Sequence, residues 1–268
     1  MTSSRQLPPG WFLKGLRTQA DVIGALIMRE LHTRYGRENI GYLWLFLEPF
    51  ILATSVGLLH WGHQTHYSEG VQGVPFAIIG YCTFVIFRNI FNRAEGTLES
   101  NMPLLYHRMV TVFDMLLARA MLEGAGVGLT CFILLGLSSA IGVAELPARP
   151  LWGILAMMLM TWWSFALSLI VCAGTFERRG VAKLIHPISY VMMPISGAFY
   201  MLQWLGEPYR TWMSWFPMTQ MFEMARYGVF ESATDDYFNV LYISGWCAVL
   251  TGIGMLAVKI VRKHVHLH

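Results

Sequence analysis

The sequence predicts an all-α integral membrane protein with six transmembrane helices, and three observations predict it. Apolar residues make up 55% of the 268 residues and charged ones only 13%, about half the charged fraction of an ordinary soluble domain, and the mean hydropathy is +0.48. The apolar residues gather into six segments, 40–61, 74–90, 116–143, 151–175, 184–205 and 240–260, of the length a helix needs to cross hydrocarbon, about 20 residues. The basic residues form four groups: six before residue 40; Arg88, Arg93, Arg108 and Arg119; Arg178, Arg179 and Lys183; and Lys259, Arg262 and Lys263. Lys and Arg in short loops stay cytoplasmic, and six spans place all four groups on that side with both termini. Arg149, Arg210 and Arg226 are left for the opposite side.

The first ten residues hold one arginine, two prolines and no apolar run before a small-residue cleavage site, so no cleaved signal peptide is expected. From 11 to 37, Leu16, Ala20, Ile23, Ile27 and Leu31 recur at helical spacing among Arg17, Arg29 and Arg34. That pattern predicts a helix with one apolar face, lying along the inner headgroup layer. The first span carries Glu48 followed by the kinking Pro49, about 12 Å along the helix axis. Arg88 stands near the inner end of the second. The segment 92–112 is too polar to span and too long for a turn. A short helix is expected before Pro103, where the missing amide and the restriction on Met102 bend the chain into an elbow. In the third span Arg119 and Glu123 are four residues apart, the spacing for an ion pair along one helix.

After the fifth span, 206–239 holds Trp212, Trp215, Phe216, Phe222, Tyr227 and Phe230, interrupted by Pro217 and Gly228 and closed by Asp235 and Asp236. Neither half is long enough to cross. A re-entrant helical hairpin dipping into the outer leaflet fits, because other helices can shield its backbone there. An interfacial amphipathic helix with an aromatic belt fits equally well.

Several chemistries are excluded. No phosphate-binding loop is present, since Gly124, Gly126 and Gly128 lie within a span with no lysine following, so ATP, if used, is hydrolysed by another chain. No Ser/His/Asp set and no carboxylate pair at one membrane depth stands out, and no metal or nucleic-acid site is expected. His60, His63 and His66 are spaced by three beside Trp61 and Tyr67 and read as interfacial side chains; His264, His266 and His268 read as a solvated tail. Cys82, Cys131, Cys172 and Cys247 each fall inside a span at no metal-binding spacing and read as packing residues.

Charges inside a membrane are costly and are functional candidates. Arg88 and Arg93, two cations near the cytoplasmic mouth, suit an anionic substrate, with snorkelling toward lipid phosphates as the equal alternative. In the fifth span Ser189, Met193, Ser196, Tyr200 and Gln203 follow steps of four, three, four and three, one stripe down a continuous helix. Hydroxyls, an amide and a ring on one face suit a sliding sugar chain, or equally the gluing of helices. Tyr42, Trp44, Phe46, Phe50, Trp162 and Trp163 favour the carbohydrate path.

RELHTRYGRENIGYLWLFLEP at 29–49 resembles the permease subunit of type-2 ATP-binding-cassette exporters of capsular polysaccharide, the KpsM-like family. NRAEGTLESNMPLLYHRMVTVFD at 92–114 is similar to that family's coupling loop, and MMPISGAFY at 192–200 with WFPMTQMFEMARYGVF at 215–230 to its outer region. The similarity runs over nearly the whole length in matching order. It implies a homodimer of six-span subunits in the bacterial inner membrane, two cytoplasmic ATPase subunits that bind ATP and Mg, and a channel for a lipid-linked acidic glycan. This chain itself would carry no cofactor. Carried over from the resemblance, Arg34, Tyr35 and Arg37 with Glu95, Glu99, Asn101, Tyr106 and His107 form the ATPase-coupling surface. Tyr42, Trp44, Glu48, Arg88 and Arg93 with the fifth-span stripe line the path. Trp212, Trp215, Phe216 and Phe222 form the periplasmic exit, where a polymer-export adaptor would dock. O-antigen or teichoic acid export remains as the alternative cargo, and a membrane-embedded glycosyltransferase as the alternative class.

Overall fold

The structure, a computed structural model, describes residues 11–35, 41–61, 70–101 and 110–265. Among the described residues the chain is helical and contains no strand. In order it forms α1 (Trp11–Tyr35), α2 (Gly41–Trp61), α3 (Gly73–Asn92), α4 (Thr97–Ser100), α5 (Val112–Ala140), α6 (Pro150–Glu177) and α7 (Arg179–Ile195). A single 3₁₀ turn (Leu202–Trp204), α8 (Tyr209–Ser214), α9 (Pro217–Val229) and α10 (Val240–Val265) follow.

Local chemistry sets the helix ends. At the start of α5 the Thr111 hydroxyl accepts the Asp114 amide at 3.2 Å, and the Asp114 carboxylate accepts the Thr111 amide at 3.1 Å. This reciprocal cap contributes about 1 kcal/mol and starts the helix four residues ahead of the apolar run at 116. Pro150 opens α6, where its missing amide would have had no partner anyway. The four-residue α4 is the short helix expected before Pro103, which itself lies outside the described residues.

The predicted fifth span is corrected. The helix runs from Arg179 to Ile195, with Pro187 and Pro194 inside it. It stops because Gly197 takes φ +92°, the left-handed region that side-chain-bearing residues avoid.

Among the described residues four helices are long and apolar enough to cross a membrane by length and composition: α3, α5, α6 and the Val240–Val261 part of α10. They coincide with the second, third, fourth and sixth predicted spans. α2 fills the first. α7 has 17 residues, about 26 Å of helix.

α6 is the centre of the bundle and packs against α10, α9, α3, α5 and α7. α3 is encased, 83% of its apolar window being buried, against 17% for α10 at the edge. Leu129, Ile133 and Leu137 on α5 and Ile253, Leu256 and Ile260 on α10 remain exposed, a larger apolar surface than a water-facing protein tolerates. α1 packs against α5 and α2 with its Leu26 buried and Met28 exposed; of the face expected to be apolar, Ile23, Ile27 and Leu31 are half-buried while Leu16 and Ala20 are exposed.

The region 206–239 divides into unlike halves. α8 buries none of its residues, whereas twelve of the thirteen in α9 are buried against α6 and α3. Close approach requires Gly228: a Cβ there would stand 2.4 Å from the Gly153 amide nitrogen on α6, so the two backbones touch. The Arg149 amide donates to the Gly228 carbonyl at 2.8 Å. Its guanidinium donates to the Tyr227 and Phe230 carbonyls at 3.2 and 3.3 Å, a cation on the exposed carbonyls of a helix end.

Candidate functional site

Polar chemistry concentrates at two ends of the bundle. At the elbow end, where α3 finishes and α5 begins, four elements meet. Arg119 on α5 donates from Nε to Glu30 of α1 at 3.1 Å, and from Nη1 to the Arg93 carbonyl at 2.7 Å and the Thr97 hydroxyl at 3.0 Å. Arg93 sends its own side chain to Glu123, one turn along α5, at 3.0 Å. Glu123 also accepts from Asn89 at 3.1 Å. Two further bonds fix α1: Arg29 to Asn101 at 2.8 Å and Gln19 to Asp114 at 3.0 Å. Asn101 in turn donates to the Thr97 carbonyl at 2.9 Å, closing α4. The N-terminal helix is thereby joined to the elbow, to the end of α3 and to the cap of α5.

One expectation is extended here and another corrected. Arg119 and Glu123, expected to neutralise each other along the helix, also take partners on other elements. Arg93, expected to be an unpaired cation, is held by Glu123. The reason is geometric: the turn after Asn92 brings the α3 terminus alongside α5, so cross-element partners stand as near as those one turn away. Arg88 is half-buried, and no ion pair is recorded for it among the described residues.

Of the other expected coupling residues, Glu95 lies 3.9 Å from His186 on α7, and Glu99 is exposed on α4. Arg37, Tyr106 and His107 lie outside the described residues, as do His63 and His66. So do the side chains of Arg34, Tyr35, Tyr42, Trp44, Glu48 and His60.

At the far end, Arg226 on α9 is wholly buried. Its guanidinium donates to the carbonyls of Gly197 and Tyr200, to Ala198 at 3.0 Å and to Glu223 at 3.2 Å. Glu223 accepts the Leu202 amide at 2.9 Å. The guanidinium also lies 4.4 Å from the centroid of the Phe76 ring on α3, a favourable cation–π distance. Three carbonyls of the segment that follows α7 thus share one guanidinium, and the chain from 197 to 202 is sewn onto α9.

The fifth-span stripe is corrected by the same geometry. Ser189 and Ser196 are fully buried and donate to the carbonyls three residues before them, at 2.8 and 2.9 Å. Met193 is half-buried on α7, while Tyr200 and Gln203 lie beyond its end. Tyr200 turns its hydroxyl to the Ile195 carbonyl at 2.9 Å, and Gln203 faces the Met201 sulfur. The stripe requires a helix that Gly197 ends. The four expected exit aromatics also separate: Trp212 and Trp215 are 64% and 69% exposed, Phe216 is half-buried and Phe222 lies in the core. Trp163 is buried and Trp162 donates to Thr251 of α10 at 3.1 Å.

Sequence reasoning missed Glu30, Asn89, Thr97 and Glu223 and placed Arg226 only by side. The Thr111 to Asp114 capping pattern and the Glu223 to Arg226 spacing of three were available signals. Nothing local marks Glu30 as the partner of a residue 89 positions away.

Residues 21–230 match the ABC-2 type transporter family. The chain is 40% identical over 256 residues to the capsule polysaccharide export inner-membrane protein CtrC of Neisseria meningitidis serogroup B, covering 95% of this chain and 96% of that protein. It is 34% identical over 247 residues to the capsule polysaccharide export inner-membrane protein BexB of Haemophilus influenzae, covering 91% and 93%. It is 27% identical over 247 residues to the polysialic acid transport protein KpsM of Escherichia coli, covering 90% and 93%. A family match across most of the length, on an all-helical bundle with apolar helices of membrane-crossing length, means that this chain belongs to the ABC-2 type transporter family of membrane proteins.

Proposed function

We propose that the chain is the membrane permease of an inner-membrane exporter of capsular polysaccharide. The observation that carries this reading is the 40% identity to CtrC over 95% of the chain. In this reading the chain has six spans with both termini cytoplasmic and works as a homodimer above two copies of an ATP-binding-cassette ATPase. That ATPase binds ATP and Mg; this chain carries no cofactor and catalyses no reaction. The elbow end is the cytoplasmic side, where Glu95, Glu99 and Asn101 with the end of α1 receive the ATPase.

The elbow-end bonds support the coupling role. A force on α1 reaches α5 through Glu30 and Gln19, and the end of α3 through Arg119. The cargo is a lipid-linked acidic glycan whose anionic terminus meets Arg88 and Arg93, and Tyr42, Trp44 and Glu48 serve its path. At the far end the enclosure of α9 supports a re-entrant hairpin over a helix lying on the surface, because a buried backbone away from water must be shielded by protein. The exposed Trp212 and Trp215 stand where a periplasmic adaptor or emerging polymer would pass.

Complementation tests this reading. Expressed with its own ATPase in Neisseria meningitidis lacking CtrC, the chain should return polymer to the cell surface, scored with capsule-specific serum. Membrane-inserted protein with the polymer still retained inside would reject it.

A further inference from the structure

Serine and threonine in a membrane helix ordinarily donate to the carbonyl three or four residues back. Ser55 does so to Ile51 at 2.8 Å, Thr130 to Gly126 at 2.9 Å and Thr161 to Met157 at 2.7 Å. Thr54 on α2 departs from this pattern: its Oγ1 is buried and has no partner among the described residues. In hydrocarbon, where no water takes the place of a missing partner, such a group is costly.

Thr54 lines an apolar groove of about 150 Å³ between α2, α3 and α5. Phe50, Thr54 and Leu58, each four residues from the next, give the groove one face of α2. Ile78 of α3 and Ile141 after α5 stand on its other sides. From Phe50 to Leu58 it follows about 12 Å of helix, most of the roughly 15 Å depth of one leaflet's hydrocarbon. Leu58, Leu137 and Ile141 on its walls are exposed, so it opens sideways into the bilayer. Ser138, also on the wall, donates to the Leu135 carbonyl at 2.8 Å, which leaves the Thr54 hydroxyl to meet an occupant.

We propose that this groove binds one acyl chain of a bilayer glycerophospholipid, the ester carbonyl at the head of the chain accepting the Thr54 hydroxyl. A chain of methylenes matches the apolar walls, and the ester supplies the acceptor. An apolar side chain from a second copy would match the walls as well but offers Thr54 nothing, because helix carbonyls are engaged internally. Thr54 lies one turn, about 6 Å, inside the rim at Leu58, where the head of a seated chain comes to rest. Once occupied, the groove fastens α2 to α3 and α5 along a seam that those helices leave open. It lies at the end of the bundle away from the elbow, so the lipid belongs to the outer leaflet. The leaflet rests on the reading of the elbow end as cytoplasmic; the site itself does not.

The test uses the complex with its ATPase, taken from cells that make no capsular polymer and placed in phosphatidylcholine nanodiscs. Two phosphatidylcholine probes carry the same photoreactive diazirine in one chain and differ only in joining that chain by an ester or by an ether. Peptide mass spectrometry reads the adducts. On peptides from 50–58 and 134–141 the ester probe should label about three- to tenfold more than the ether probe, the span of one net hydrogen bond. Around Ile253 and Leu256, exposed on α10, the two should label alike. Thr54→Val, which keeps the shape, should make the probes equal in the groove, and Thr54→Ser should restore the preference. Equal labelling of the groove in the unaltered protein overturns the proposal without recourse to any variant, and so does a preference that survives Thr54→Val. Groove peptides that take up neither probe while α10 is labelled would show a protein surface covering the groove, a second copy, and overturn it too. A preference that disappears when lipid-linked polymer is added at one per complex would transfer the site to the cargo's own lipid end and overturn the assignment to the bilayer.

Discussion

The two charged clusters use the same side chains and differ in what surrounds them. At the far end Arg226 and Glu223 are 0% and 4% exposed, and Arg226 is also gripped by three carbonyls and faces an aromatic ring. At the elbow end Arg119 and Glu30 are 16% and 13% exposed, and Arg93 reaches 35%. A guanidinium taken out of water and satisfied on several sides has nowhere to go. At the elbow end the guanidiniums keep some water and bond across elements instead. The first arrangement fixes a chain segment against one helix, and the second joins α1, α4 and α5 to one another.

The largest expected effect would break that comparison if it failed. Glu223→Ala leaves a buried Arg226 without its counter-charge, a loss of about 3–5 kcal/mol, and should sharply lower both the amount of folded protein and its unfolding midpoint in detergent. Glu30→Ala removes a partner that is 13% exposed from an arginine that keeps two other acceptors, and a smaller loss of about 1–3 kcal/mol is the expected scale. Matched thermal unfolding of the two variants decides the point. Equal destabilisation would mean that burial does not separate the clusters.

A second pair of substitutions sharpens the contrast in rigidity. An alanine at Gly228 drives its Cβ to 2.4 Å from the Gly153 nitrogen and 2.8 Å from its Cα, both backbone atoms of α6. Gly124→Ala meets Thr161 Oγ1 at the same 2.4 Å and its Cγ2 at 2.8 Å, but these are side-chain atoms rather than backbone. Overpacking costs about 1–3 kcal/mol, and Gly228→Ala should sit at the upper end of that range with Gly124→Ala at the lower. The order of their unfolding midpoints checks it, and a reversed order would show that α9 can shift on α6.

The fold was largely legible because membrane-crossing helices announce themselves by length and apolarity. α3, α5, α6 and α10 begin and end within a few residues of the predicted spans. The fifth span was misread because Ile195 to Leu205 is as apolar as a helix would be. Hydropathy does not see Gly197 leave the helical region, and the stripe from Ser189 to Gln203 fell with that reading.

The short helix α4 was legible in the polar stretch after the second span, but the pairings around it were not. Spacing along one helix proposed Arg119 with Glu123, and spacing carries no knowledge of α1 packing alongside or of the turn that returns Arg93. The buried Arg226 is the clearest case. Charge placement put it on the outer side, but its enclosure depends on Gly80, Phe76 and the chain from 197 to 202 converging on it, which no local pattern encodes.

The smallest expected effect on stability comes from the same far end, and its smallness is informative. Trp212 and Trp215 stand 64% and 69% exposed on and just after α8, a helix with no buried residue, so little apolar contact is lost when they are shortened. Trp212→Ala combined with Trp215→Ala should change stability by less than about 0.5 kcal/mol per site. Phe222→Ala, seven residues further on and 1% exposed, should cost about 3–5 kcal/mol. Side chains that do not hold the fold, in a region otherwise sewn shut by Arg226, are free to serve passage or docking. The double tryptophan variant should therefore reach the membrane at normal level with a normal unfolding midpoint and still export less polymer. Normal export would remove the aromatic pair from the exit, leaving α8 as a cover over a cluster that needs none.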